Sequence, residues 1–388
     1  MKGSSKALFL STISFAIAFA VWGMISPLAK TFQTMFSLTE QQTWAIIAIP
    51  VLLGSIIRIP MGMLTDKFGG RIVFGLLLLF IALPAYKLSF ADSYNDFVIW
   101  GLALGMAGTS FSVGVGFASK WFPPEKQGLA LGIFGMGNIG QSIALFGIPV
   151  LTSALSWQIS YKLFALTTLI WGIIFLLFAR NAESKAKPKS FTEMIRLLLT
   201  EPLTWLLSLF YFVTFGGFVA LSISLPKLLQ EIFHISFQDA GFRVAGFVVV
   251  ATLMRPVGGW IADKVGGAKT LMYVFLFAGL FALGMSFESI IPFTIGALGT
   301  AACIGLGNGA VFRLVPEYFP KDAGTVSGLV GAVGGLGGFF PPLVLGVIKT
   351  CTGDYDIGFL LLSVFCIMCL ALDFLVFFKF LKKESITS

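Results

Sequence analysis

Apolar runs of about 20 residues, separated by short polar clusters, follow one another along the whole chain. They fall at residues 8–28, 44–65, 72–90, 95–120, 127–150, 159–180, 203–226, 240–262, 270–288, 291–315, 324–348 and 356–380. A helix rising 1.5 Å per residue needs a run of this length to cross about 30 Å of hydrocarbon. The pattern predicts twelve membrane-spanning helices, six in each half.

The polar breaks also repeat. Arg58-Ile-Pro-Met-Gly62-Met-Leu-Thr-Asp66-Lys-Phe-Gly69-Gly70 returns as Arg255-Pro-Val-Gly-Gly259-Trp-Ile-Ala-Asp263-Lys-Val-Gly266-Gly267, 197 residues later in a chain of 388. Trp121-Phe122-Pro123 and Tyr318-Phe319-Pro320 keep the same offset. A repeat that holds over half the chain marks a duplicated protein. We expect an all-α membrane protein made of two six-helix bundles related by pseudo-two-fold symmetry, residues 1–180 and 201–388. The segment 181–200, with Lys185, Lys187 and Lys189, is expected to be a solvated linker.

Composition agrees: 57% hydrophobic residues, 42 Phe and only 11% charged residues are too apolar for a soluble core. The first run follows Lys2 and Lys6 and has a small-residue pattern at Ala16, Ala18 and Ala20, as a cleaved signal would. Cleavage would leave five spans against six, so it is read as a retained helix. With both termini in the cytoplasm, 18 of the 26 Lys and Arg fall on the cytoplasmic face and 6 on the other, as basic residues do in multi-pass proteins of the cell membrane. The net charge of +8 thus reflects topology, with no nucleic-acid partner implied.

The remaining two basic residues, Arg58 and Arg255, lie inside apolar helices. Eight residues from the Asp at the helix end, each is about 12 Å deep. An arginine near the midplane costs about 2.5–3.5 kcal/mol on insertion scales and needs a partner. Of 18 acidic residues, only Asp373 falls clearly inside a span. The natural missing partner is a small anion. A planar guanidinium matches planar oxyanions, and both carboxylates and nitrate qualify.

Other chemistry is sparse. The single histidine, His234, belongs to the loop after the seventh span, and the four cysteines lie in or beside apolar runs. Cys366-x-x-Cys369 has redox spacing without a redox context, so packing is the better reading. Neither a metal site nor a cofactor is expected. Glycines crowd two spans: Gly128, Gly132, Gly135, Gly137 and Gly140 in the fifth, and Gly324, Gly328, Gly331, Gly334, Gly335, Gly337 and Gly338 in the eleventh. Close helix packing and a sliding, substrate-lining helix would both use them. Asp66, at a helix C-terminus where its charge opposes the dipole, is expected to cap the start of the eleventh span near Ala323 and Gly324 and so to gate one side.

Gly62-x-x-x-Asp66-Lys-x-Gly69-Gly-Arg71 resembles the loop signature of the major facilitator superfamily. The two arginines, with Gly132-Ile-Phe-Gly-Met-Gly-Asn138 and Gly328-Leu-Val-Gly-Ala-Val-Gly-Gly-Leu-Gly-Gly338, resemble the nitrate/nitrite porter family. That resemblance implies the major facilitator fold and an anion clamped by Arg58 and Arg255 between two aromatic rings, with Phe111 and Phe312 fitting the rings. It also implies that Tyr211 bonds the anion and that Asn138 adds a polar contact. Gly132, Gly135, Gly137, Gly328, Gly331 and Gly334 become gating positions.

Three functions compete. A sensor would need a long cytoplasmic signalling segment. An enzyme would need nucleophilic or acid–base groups near the arginines, and the sequence offers none. Transport of nitrate and nitrite by alternating access needs only a duplicated bundle with a midplane site. The expected protein works as a monomer in contact with membrane lipid. Two fixed positive charges without an internal acid favour nitrate/nitrite exchange, with proton-coupled nitrate uptake, or transport of a small carboxylate, as alternatives.

Overall fold

The computed structural model describes residues 2–122, 124–182, 190, 192, 193, 196, 200–287, 289–319 and 323–380; for Lys2, Asp66, Ser119, 124–129, Pro316, 323–325, Ser327 and 378–380 only the backbone is described. The spans are α1 (Gly3–Met35), α2 (Glu40–Ile56 continued by Arg58–Thr65), α3 (Gly70–Leu88), α4 (Tyr94–Ala118), α5 (Ala130–Ala154) and α6 (Trp157–Phe178) in the first half. In the second half they are α7 (Pro202–Ile232), α8 (Phe237–Val265), α9 (Gly267–Gly284), α10 (Ile290–Val315), α11 (Gly328–Thr352) and α12 (Asp356–Phe377). Most of the linker 181–200 lies outside the described residues, as does the side chain of Asp66.

Pseudo-symmetry is visible contact by contact. Gly69 and Gly266 both take positive φ, 83° and 94°, which ends one helix and starts the next almost at once. The following glycines sit against paired positions: a Cβ on Gly70 would lie 2.5 Å from Phe117, and one on Gly267 would lie 2.6 Å from Leu314. Both partners are offset by the same 197 residues. Large apolar side chains such as Phe9, Leu177 and Ile291 remain more than half exposed, as lipid-facing residues of a bundle do.

Among the described residues only α2 is sharply broken, by 41° at Ile57. Pro60 has no N–H for the carbonyl of Ile56, and its ring crowds that carbonyl, so the helix yields there. The break sets Arg58 at the start of the second segment. Glycines bring α4 onto α2: a Cβ on Gly54 would meet the carbonyl of Gly105 at 2.5 Å and Cα of Gly108 at 3.2 Å. A 3₁₀ stretch at Gly105–Thr109 then turns the Gly108 carbonyl toward Arg58.

Helix α7 outruns its apolar pattern, continuing to Ile232 through Pro226 and Lys227. Lys227 is fully buried by partners from two other segments of the fold, so a charge that would end a lipid-facing helix does not end this one. The halves are tied together on the face away from residues 2 and 377. There Ser26 donates to the Ile223 carbonyl (2.6 Å), Gln141 to Ser222 (2.8 Å), Lys30 to the Gln230 carbonyl (3.2 Å) and Gln41 to Thr350 (2.6 Å).

Candidate functional site

Arg58 is buried and reaches two backbone carbonyls, Gly331 of α11 at 2.5 Å through Nη1 and Gly108 of α4 at 3.0 Å through Nη2. Its Nε has no acceptor. Arg255 donates through Nη2 to the hydroxyl of Tyr211 at 2.7 Å, and its Nη1 has no acceptor. Among the described residues neither arginine has a carboxylate partner. The symmetric pair is therefore held asymmetrically. One guanidinium is anchored on main chain exposed by glycines, the other on a phenol. Each keeps one buried donor free, and a buried donor left unbonded costs about 1–3 kcal/mol.

Aromatic rings complete the site. The Cζ of Arg58 lies 5.9 Å from the centroid of Phe111 and 5.6 Å from that of Phe215; the corresponding distances for Arg255 are 5.6 and 5.7 Å. The two rings are stacked at 6.5 Å with an interplanar angle of 27°. That separation is close to twice the ~3.5 Å contact distance between carbon atoms, the spacing of two rings on either side of one flat layer. Two guanidinium groups at its edge and two ring faces above and below suit a small planar anion.

A third ring joins the two expected ones. Phe215, not Phe312, shares both guanidinium groups with Phe111. It sits one turn beyond Tyr211 on α7 and stacks on it at 5.0 Å, so the two present one face. Phe312 meets Tyr211 edge-on at 4.9 Å and Phe111 at 6.4 Å, so it adjoins the same cluster. The i, i+4 spacing of Tyr211 and Phe215 was the available signal, and among 42 Phe it carried little weight.

The chain belongs to the major facilitator superfamily and, within it, to the nitrate/nitrite porters. The Major Facilitator Superfamily model matches residues 11–342. The chain is 42% identical over 357 residues to the "Nitrite extrusion protein" of Bacillus subtilis, covering 92% of this chain and 90% of that one. It is 39% identical to the "Probable nitrate transporter NarT" of Staphylococcus epidermidis, covering 95% and 96% of the two chains, and 40% identical to that of Staphylococcus carnosus, covering 94% of each. Among solved structures, a bacterial homolog of the human lysosomal transporter Spinster superimposes with a TM-score of 0.76 at 18% identity, covering 98% of both chains, which is a likeness of fold.

Of the other positions singled out in this porter, Asn138 is buried in a short 3₁₀ turn of α5 with its Oδ1 unbonded. Its neighbour Gly137 packs on Phe15, whose ring lies 5.7 Å from Phe111, so the turn backs the aromatic layer. The six glycines divide. A Cβ on Gly137 or Gly334 would collide with Phe15 or Tyr211, and one on Gly331 would touch Arg58 at 3.9 Å. Among the described residues nothing stands within 4 Å of a Cβ on Gly132, Gly135 or Gly328. Asp66 and residues 320–325 carry no described side chains, so the expected cap between them lies outside the described residues. Cys303, Cys366 and Cys369 are buried and free, and among the described residues no metal-binding group assembles.

Proposed function

We propose that this membrane protein transports nitrate and nitrite by alternating access, exchanging one anion for the other at Arg58 and Arg255. The carrying observation is the pair of guanidinium groups, one buried and one partly buried and with no carboxylate partner among the described residues, at the edge of the slot between the rings of Phe111 and Phe215. Nitrate and nitrite are both planar and singly charged, and the relatives' names point to the same two anions. In proteoliposomes, labelled nitrate uptake is expected to be competed by nitrite and not by tetrahedral sulfate or phosphate. Equal competition by sulfate would exclude the flat-slot reading.

Tyr211 serves two roles in this mechanism. Its hydroxyl accepts from Arg255 and keeps its own proton for the anion. Tyr211→Phe is expected to raise the nitrate KM about tenfold, the value of one charge-assisted hydrogen bond. Gly334→Ala, whose Cβ would overlap the Tyr211 ring, should do the same without removing the hydroxyl. An unchanged KM in both variants would remove Tyr211 from the site.

We assign both termini to the cytoplasm, from the 18-to-6 distribution of Lys and Arg. The hydrogen-bonded face then becomes the external gate, and the helix faces at Gly132, Gly135 and Gly328 lie toward the cytoplasm. These side-chain-free helix faces would meet when the cytoplasmic side closes. Gly132→Val and Gly328→Val are expected to slow nitrate exchange several-fold while leaving the protein at normal levels in the membrane. Normal exchange in both variants would show that the two faces do not meet.

A further inference from the structure

At the face away from the termini, outside the anion site, Lys227 of α7 is fully buried between two carboxylates, Glu40 of α2 at 2.6 Å and Glu231 of its own helix at 2.6 Å. Tyr355, between α11 and α12, bonds both acids, Glu40 at 3.0 Å and Glu231 more closely. Burial and the two carboxylates push the Tyr355 hydroxyl far above the ordinary phenol range, so it stays a donor. Trp44 of the first half lies under the Lys227 ammonium, 4.8 Å from ring centroid to Nζ, and its edge fits against Gly346 of α11. One cation, two acids and a phenol thus join the halves at a single point.

How the cluster divides is the informative part. If α2 separates from α7, Glu40 keeps the indole N–H of Trp44 at 2.7 Å and the amide of Gln33 at 2.9 Å, both from its own half. Lys227 and Tyr355 keep Glu231, also from their own half. Breaking Glu40 from Lys227 leaves no charge unbonded. A buried ion pair serving only stability has no need of this arrangement, because losing one partner strands the other at high cost. A contact made and broken in each cycle does need it.

We infer that Glu40, Lys227, Glu231 and Tyr355 are positioning residues forming the external latch of the transporter, and that Glu40 and Glu231 act on it in opposite directions. Glu40 holds the halves together. Glu231 stabilises the parted state, because it competes for the ammonium and satisfies Lys227 when Glu40 leaves. The inference rests on the alternating-access reading above.

The test uses full-length protein in proteoliposomes with Ser222→Cys as reporter and Cys351→Ser to remove the exposed native thiol. Ser222 is buried and bonded to Gln141 of the other half, so a membrane-impermeant maleimide added outside reaches it only when the latch opens. Glu40→Gln is expected to speed labelling about tenfold, a shift of about 1.4 kcal/mol in the opening equilibrium. Glu231→Gln should slow it to a similar degree. Gly346→Ala gives a route free of charge changes: its Cβ would stand 2.7 Å from Cδ1 of Trp44 and wedge the halves apart, speeding labelling. Labelling that is unchanged in both glutamine variants, or that moves the same way in both, overturns the latch; should either fail to fold, the other and Gly346→Ala decide. Nitrate counterflow in the same vesicles separates the two claims. Counterflow without a labelling response defeats the latch alone, whereas no counterflow in the unmodified protein defeats the transport reading.

Discussion

Lysine at position 58 or 255 is expected to lower nitrate uptake about 100-fold or more while the protein inserts and accumulates normally. Lysine keeps the charge, so any argument from charge alone predicts retained activity. The structure makes charge secondary to shape. Arg58 uses two of its nitrogens on the carbonyls of Gly331 and Gly108, and has a third left for an anion. An ammonium has no planar fork to divide between the main chain of two helices and a ligand. Arg255 likewise spans the Tyr211 hydroxyl and a free donor. Charge-assisted hydrogen bonds contribute about 1.5–3 kcal/mol each, and loss of one or two gives a factor of about 10 to more than 100. Initial rates of labelled nitrate uptake, normalised to protein in the membrane, measure it. Near-normal rates in both variants would mean that charge without geometry suffices.

The second large effect is a dependence on internal anion. Two unit charges about 8 Å apart in a medium of effective dielectric constant about 20 repel by about 2 kcal/mol. That is a factor of about 30 in the population of a closed, empty state. No described carboxylate stands between Arg58 and Arg255 to relieve it. An empty transporter should therefore return slowly and a loaded one quickly. Vesicles filled with nitrite or nitrate are expected to take up labelled nitrate about 30-fold faster than vesicles filled with gluconate. An imposed proton gradient alone should change little. Accumulation driven by an inward proton gradient in gluconate-filled vesicles would instead establish proton coupling. Asp373, buried in α12 with both carboxylate oxygens unbonded, would then be the first residue to replace.

What the sequence determined about this protein is what repeats or what a bilayer enforces. Runs of about 20 apolar residues gave the spans because hydrocarbon thickness sets helix length. The 197-residue offset gave two related halves, and within them the depth of Arg58 and Arg255, because position along a helix fixes depth. The Gly-Gly pairs after Asp66 and Asp263 belong to that repeat, and the first glycine of each takes positive φ. Tertiary structure decided everything that depends on which side chains from distant segments meet. Phe215 joined the cluster around Phe111 because its helix face, shared with Tyr211, meets both arginines. Arg58 and Arg255 acquired different anchors because Gly331 and Gly108 bring main chain to one, and α7 brings a phenol to the other. Lys227 lies one residue past the apolar run 203–226 and became a buried junction between halves, since its partners Glu40 and Tyr355 lie 187 and 128 residues away. Local pattern encodes depth and helix face; it does not encode which faces the fold sets against each other, and those pairings made both the arginine–aromatic cluster and the Lys227 junction.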